Sequence, residues 1–268
     1  MRSAAPPRPR GSLRAAVTTF TIIPIRGGPD SITSDVAARM TLWLPGVGCL
    51  LAIPAVGLML AVEAGGDSGS RRLLGATLAI AALAVLTGGL HLDGLADTAD
   101  GLGSRRPSQE ALGLMRRPES GPMGVSAVVL TLLIQVTALA AIAPRWLGPA
   151  ALAAAVLTSR VAVVAAAGAP AARPDGFGAL IAGTASRRSR VTAAAALLVI
   201  AGAAGAAAGG VPLAVRALAA ALAGLAAAAW LRRVACRRLG GMTGDVFGAL
   251  IELSTATVLL AAALIPSH

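Results

Sequence analysis

Long apolar runs separated by short polar stretches make up most of this chain. Seven of these runs are long enough to cross a bilayer as helices. They lie near residues 42–62, 73–90, 123–143, 147–168, 191–211, 213–231 and 246–265. The fifth and sixth runs are rich in Ala and Gly, and the Gly209–Pro212 stretch between them favours a helical hairpin. The pattern predicts an all-α fold, a polytopic integral membrane helical bundle of about seven transmembrane helices.

The polar residues divide the chain into two parts. Residues 1–40 are predicted to form a polar or amphipathic N-terminal segment, and residues 41–268 a single helical membrane domain. Within that domain, the stretches 91–122, 169–190 and 232–245 are predicted to be loops on one face of the membrane.

The basic residues indicate which face this is. All 23 of them are Arg. With a cytoplasmic N-terminus, all but four arginines fall on the cytoplasmic side, the exceptions being Arg71, Arg72, Arg145 and Arg216. Because basic residues concentrate in cytoplasmic loops, this asymmetry predicts an N-in, C-out membrane protein with its polar loops facing the cytoplasm.

Composition narrows the function classes. The chain is 56% hydrophobic and 13% charged, which is too apolar for an ordinary soluble domain and makes the lipid bilayer a partner. Its net charge of +11 does not indicate nucleic-acid binding, because only 2% of residues are aromatic and the arginines lie at the ends of apolar runs. The sequence leaves homo-oligomerisation open.

The richest candidate chemistry follows the second apolar run. Asp93, Asp97 and Asp100 are spaced i, i+4 and i+7, so on a helix they share one face within about 60°. Like charges this close favour a cation between them, and Mg²⁺ prefers carboxylate oxygens. The segment therefore predicts a catalytic Mg²⁺ site, rather than a merely solvated helix face.

Further candidates flank this segment. His91 is a candidate for substrate binding or proton transfer, although a structural role fits it equally well. Arg116 and Arg117 suit phosphate binding but also serve as topology signals. Arg160 lies inside an apolar run, where a charge is costly and usually functional.

The last polar stretch adds a second group. Candidate substrate- or phosphate-binding residues there are Arg232, Arg233, Arg237, Thr243, Asp245 and Glu252. Asp245 and Glu252 are seven residues apart and so share a helix face. Glycines before the helix leave backbone N–H groups free for an anion.

Acidic groups, arginines and glycine-rich turns on one membrane face suit phosphoryl transfer. Two alternatives remain. One is a CDP-alcohol-type phosphatidyltransferase, whose pattern is matched only in part because Ala96 is followed by Asp97 and not by Arg. The other is an ion-coupled transporter, which the concentration of acids at one surface argues against.

Five segments stand out along the chain: Phe20–Pro24, Leu44–Gly48, Gly89–Leu102, Gly121–Gly124 and Gly240–Asp245 running on to Glu252. Together, and in this order, they resemble the cobalamin synthase (adenosylcobinamide-GDP ribazoletransferase) family. The likeness covers about residues 18–262, and the aspartate segment is its most specific part. One departure is Arg117–Pro118–Glu119, where the family often has an Asp-Ser/Pro-Arg-like stretch.

The resemblance implies an Mg²⁺-dependent integral membrane transferase. Its partners would be adenosylcobinamide-GDP and α-ribazole or α-ribazole 5′-phosphate, and GMP would be released. Asp93, Asp97 and Asp100 would bind Mg²⁺, with one of them acting as base, and Asp245 would complete the metal or substrate site. Arg160 and the arginines of 232–238 would hold phosphates.

Overall fold

The structure is a computed structural model, and it describes residues 9–25, 32–142 and 146–265. It is 80% helical, and its described residues contain no β-strand, only an isolated bridge between Ala171 and Met242. The all-α prediction is therefore confirmed. Arg145 and residues 1–8, which entered the predicted topology, lie outside the described residues.

The helices follow one another in chain order. They are α1 Pro9–Phe20, α2 Ser34–Leu42, α3 Leu44–Glu63, α4 Gly69–Leu86, α5 Leu90–Gly103, α6 Ser108–Leu114, α7 Pro122–Ala141, α8 Leu147–Ala166, α9 Phe177–Ile181, α10 Arg187–Arg238 and α11 Gly244–Leu264. Among the described residues, six helices are long and apolar enough to cross a membrane: α3, α4, α7, α8, α10 and α11.

Two of the predicted spans belong to the 52-residue helix α10. Its backbone leaves the helical conformation at Gly209 and Gly210, where the sequence predicts a turn. A methyl group on Gly202 would lie 3.5 Å from the side chain of Leu218. In a straight helix these two residues would be about 24 Å apart. The two halves of α10 therefore fold back against each other as the predicted hairpin.

Helices α8 and α11 form the inside of the bundle, with 67% of their apolar window buried, whereas 33% or less is buried in the other four candidate spans. Large apolar side chains on those outer helices face outward, among them Ile53, Val199 and Val211. An exposed apolar surface of this kind suits contact with lipid acyl chains. The structure is therefore that of a helical membrane protein.

The N-terminal helices pack onto one end of the bundle. Ala16, Val17 and Phe20 of α1 are buried, and the ring of Phe20 meets that of Phe177 edge-on at 5.6 Å. The predicted N-terminal segment thus covers the same end at which the polar loops gather.

The boundaries differ from the predicted ones at the second apolar run. Helix α4 ends at Leu86, and Gly88 and Gly89 have φ of 60° and 73°, a left-handed conformation that glycine adopts without strain. Helix α5 therefore starts in a new direction. The stretch 91–122, predicted to be a loop, holds α5 and α6; 169–190 holds α9, and 232–245 begins with the last turns of α10.

Candidate active site at one end of the bundle

The predicted aspartate face is carried by α5. The helix contains all three acids, with Asp93 exposed and Asp97 and Asp100 half-buried. The spacing therefore places the three on a helix as predicted, at the end of the bundle covered by α1 and α2.

Helix α5 lies in very close contact with the start of α11. A methyl group on Gly94 would lie 2.7 Å from the carbonyl oxygen of Asp245, and one on Gly248 would lie 3.2 Å from Cα of His91. Only glycine permits this approach of the two backbones. The contact brings Asp245 beside Asp93 and Asp97, although about 150 residues of chain separate them.

The close contact at Gly94 predicts that a larger residue at this position lowers activity. In Gly94→Ala the added methyl group meets backbone atoms of Asp245, which cannot rotate away, so the two helices must separate. We expect a loss of about tenfold or more in activity, because displacements of about 1 Å at a catalytic site have large effects. Gly57→Ala in α3 is the matched control, since nothing lies within 4 Å of the added methyl there and the position is far from the acidic group. Equal activity of both variants would contradict the close packing.

The acidic side chains influence one another's ionisation. Partial burial raises the pKa of Asp97 from 3.8 to about 6, and nearby carboxylates add to the rise. Those carboxylates belong to Asp245, Asp93 and Asp100, in decreasing order of effect. Among the basic residues that the structure describes, Arg173 alone opposes the shift. The site therefore holds more negative charge than its own arginine balances.

Arg173 is the functional candidate that the sequence analysis missed. It lies half-buried on the segment between α8 and α9, and its Nη2 donates to the carbonyl oxygen of Leu112 at 2.6 Å. Burial lowers the pKa of Arg173, while the carboxylates of Asp245, Asp175 and Asp97 act in the opposite direction. Its guanidinium thus lies at the edge of the acidic group. The only sequence signal was the polar run Arg173–Pro174–Asp175 between two apolar helices.

Asp100 is held differently from the other two acids of α5. Its carboxylate accepts hydrogen bonds from the backbone N–H of Gly121 at 2.6 Å and of Gly124 at 2.9 Å. These groups begin α7, where an anion is stabilised by free N–H donors and the helix dipole. Asp100 therefore fastens α5 to the start of α7 across the site.

The side chains fit a magnesium ion by their chemistry. As they stand, no three His, Cys, Asp or Glu side chains of the described residues converge on one point as a metal cage would require. Mg²⁺ needs no such cage, because it keeps several waters and binds through one or two carboxylates together with substrate phosphates. The mutual repulsion at Asp97 shows where positive charge would be most stabilising.

Thr243 begins α11 and orients Asp245. Its hydroxyl accepts the N–H of Val246 at 3.2 Å and lies 3.2 Å from Oδ2 of Asp245. Thr243 is buried and occupied by these two contacts. The predicted phosphate-binding role of Thr243 stays a prediction, while its contacts fix the carboxylate of Asp245.

The predicted phosphate-binding arginines are spread over the same end. Arg116 donates from Nη2 to both carboxylate oxygens of Asp175, at 3.0 and 3.1 Å, and Arg117 is exposed. Arg232 is half-buried on the last turns of α10, and Arg233 and Arg237 are exposed there. None of these three is among the groups that shift the pKa of Asp97, whereas Arg173 is.

His91, Arg160 and Glu252 form a separate group deeper in the bundle. They line a cavity of about 20 Å³ together with Gln135, whose Nε2 donates to Oε2 of Glu252 at 2.8 Å. Buried His91 Nε2 finds no hydrogen-bond partner among the described residues. Burial, with Arg160 nearby, lowers the pKa of His91 well below its usual value, so the ring is neutral. The cavity has room for about one water, which would satisfy this nitrogen.

Together, the fold and the site define a helical membrane protein with an acidic, arginine-bordered site at one end of its bundle. A family model described as cobalamin-5-phosphate synthase matches residues 12–263. The chain therefore belongs to the cobalamin-5-phosphate synthase family, as the motifs predict.

Relatives named adenosylcobinamide-GDP ribazoletransferase match along almost the whole chain. One from Frankia casuarinae is 38% identical over 261 residues, which cover 94% of this chain and 94% of that protein. One from Bradyrhizobium diazoefficiens is 36% identical, covering 94% and 92%. One from a Nocardioides species is 38% identical, covering 94% and 98%. No solved structure matches significantly.

Proposed function

We propose that this protein is an adenosylcobinamide-GDP ribazoletransferase, which joins adenosylcobinamide-GDP to α-ribazole or its 5′-phosphate. The observation that carries the proposal is the junction of α5 and α11 at Gly94, which places Asp93, Asp97 and Asp245 beside Arg173. Family membership supplies the substrate class.

The reaction balances as a phosphoryl substitution. The hydroxyl of α-ribazole attacks the phosphorus next to cobinamide, the bond from that phosphorus to the bridging oxygen breaks, and GMP leaves. The products are adenosylcobalamin, or its 5′-phosphate, and GMP. The hydroxyl proton passes to a carboxylate of α5, for which exposed Asp93 and half-buried Asp97 are the candidates.

Asp93, Asp97 and Asp245 would hold Mg²⁺, and Asp100 would fix α5 from the other side through α7. When bound, Mg²⁺ neutralises charge on the phosphates and orients the attacking and leaving oxygens. Arg173 binds a phosphate oxygen with the N–H groups it does not donate to Leu112. Arg116, Arg117, Arg232, Arg233 and Arg237 attract the anionic substrate to this end of the protein.

The proposed topology puts this site at the cytoplasmic surface of a bacterial plasma membrane. Counting each half of α10 as a crossing gives seven, with the N-terminus inside. The distribution of arginines supports this orientation. A cytoplasmic site also suits substrates that are charged nucleotides and cannot cross lipid.

Purified protein incubated with adenosylcobinamide-GDP, α-ribazole and Mg²⁺ is expected to release GMP and form the cobalamin product. EDTA should stop the reaction, and excess Mg²⁺ should restore it, because the acids alone repel the phosphates. Chromatography of the nucleotide and corrinoid products measures both effects. CMP release from a CDP-alcohol, with none of GMP, would overturn the proposed substrate; a rate insensitive to EDTA would overturn the metal.

A further inference from the structure

A polar cleft of about 360 Å³ opens beside the acidic group, between α6 and residues 172–175. Its charged and amide side chains are Gln109, Arg116, Arg173 and Asp175. Apart from the phosphate contact of Arg173, the proposed reaction assigns no substrate group to this cleft. Arg173 lines this cleft and also acts electrostatically on Asp97 and Asp245, so the cleft and the acidic group share one guanidinium.

The walls of the cleft are fixed by hydrogen bonds to each other and to the segment 239–242. Arg173 donates to the Leu112 carbonyl oxygen of α6 at 2.6 Å. Ser108 of α6 donates to the Leu239 carbonyl oxygen at 2.9 Å, and the N–H of Ala172 donates to that of Met242 at 2.9 Å. Because these hydrogen bonds join parts of the protein itself, the cleft is a preformed site, as small-molecule sites usually are.

The size and polarity of the cleft limit which ligands can bind in it. Ligand pockets measure about 300–1,000 Å³, so this cleft takes a nucleotide and leaves a corrinoid ring outside. A cavity of similar size, about 460 Å³, lies between α3, α8 and α10 and is lined by Ala, Ile, Leu and Val with few polar groups. A charged nucleotide would not enter it, since its phosphate would lose hydration without compensation.

Arg116 and Asp175 supply the two kinds of group that a guanine nucleotide requires, a cation for its phosphate and a carboxylate for its base, once the ligand separates the pair. The pair is exposed, with side-chain exposures of 56% and 66%, and such pairs contribute at most about 1 kcal/mol. A ligand can therefore recruit either partner. Asp175 is an acceptor-only group. Guanine presents N1–H and N2–H₂ donors along one edge, whereas adenine presents an acceptor at N1.

We propose that this cleft binds the guanosine monophosphate half of the substrate, with Arg173 and Arg116 on its phosphate and Asp175 on the guanine edge. This assignment rests on the proposed function. In this arrangement Asp175 selects guanine over other bases. Arg173 contacts the leaving group where it lies next to the acidic residues.

The proposal is tested by asking whether a substitution of Asp175 reverses the preference of the protein for one nucleotide base over another. Binding of GMP, xanthosine monophosphate and AMP is measured by equilibrium dialysis with the purified full chain. The wild-type protein should bind GMP at least about tenfold more tightly than the other two. In Asp175→Asn, the amide should donate to the xanthine 2-oxygen, so xanthosine monophosphate should bind more tightly than GMP. Asp67→Asn removes a carboxylate from another exposed ion pair, with Arg72, and should keep the wild-type order.

Two results would overturn the cleft assignment: a wild-type protein that binds GMP and AMP equally, or an Asp175→Asn variant that still prefers GMP over xanthosine monophosphate. Either can occur while the wild-type protein still releases GMP in the transfer assay, and then only the cleft assignment fails. If the wild-type protein releases no GMP from adenosylcobinamide-GDP, the proposed function fails instead.

Discussion

Asp97→Asn is expected to reduce the rate of GMP release by about 10²–10⁴-fold, the range expected for loss of a positioned base or metal-binding carboxylate. The change is nearly isosteric and removes one charge from a group that includes Asp93 and Asp245. Asp67→Asn, at an exposed ion pair in the turn between α3 and α4, should leave the rate unchanged. Near-normal turnover in Asp97→Asn would contradict the proposed site.

The same variant should be at least as stable as the wild-type protein. Folding raises the pKa of Asp97 from 3.8 to about 6, so at neutral pH ionisation of this carboxyl opposes folding. Removing the charge therefore stabilises the folded state at neutral pH. The gain in thermal midpoint, measured in detergent with EDTA, should be present above pH 6 and should disappear below about pH 4, where the carboxyl is protonated in both states. A variant that lost both activity and stability would indicate a structural role for Asp97.

Activity and stability therefore conflict at this site, as they often do where charge is gathered for catalysis. The conflict also explains why the acids were recognisable in the sequence. Like charges on one helix face with no basic residue between them are unfavourable for folding alone, so their presence indicates a ligand.

The bundle itself could be predicted because a membrane span needs only length and apolarity. The hairpin of α10 was visible for a similar reason, since Gly209 and Gly210 precede Pro212. The break between α4 and α5 was missed although Gly88 and Gly89 signalled it. The apolar pattern continues through this Gly-Gly pair. Hydrophobicity alone therefore does not reveal the change of helix direction that a positive φ produces.

The arrangement of the site depended on contacts between distant segments, which no local pattern contains. Asp100 shares a helix face with Asp97, yet its partners are backbone N–H groups more than twenty residues later. Glu252 shares a face with Asp245, but seven residues of helix place it about 10 Å deeper in the bundle. Arg173 was missed because an arginine in a loop of a positively charged protein is not distinctive.

The deeper group of Arg160 and Glu252 should show the largest effect on stability. Arg160 is 3% exposed and donates to Ser159 Oγ at 2.8 Å, while Glu252 accepts from Gln135. Arg160→Met alone removes the positive neighbour that acts electrostatically on the Glu252 carboxylate, and a buried polar group left without compensation costs about 1–3 kcal/mol. Glu252→Gln alone leaves the guanidinium uncompensated and should be destabilising for the same reason.

The double variant Arg160→Met/Glu252→Gln should recover most of that loss, because both charges are then absent and the amide introduced in place of Glu252 can still bond to Gln135. Unfolding free energies of the four proteins in one detergent measure the coupling; additive losses would contradict a charge pair. The double variant also tests phosphate binding by Arg160. The neighbouring cavity of about 20 Å³ has room for about one water and not for a phosphate, so we expect transfer activity to return with stability. A stable but inactive double variant would instead assign Arg160 to the substrate.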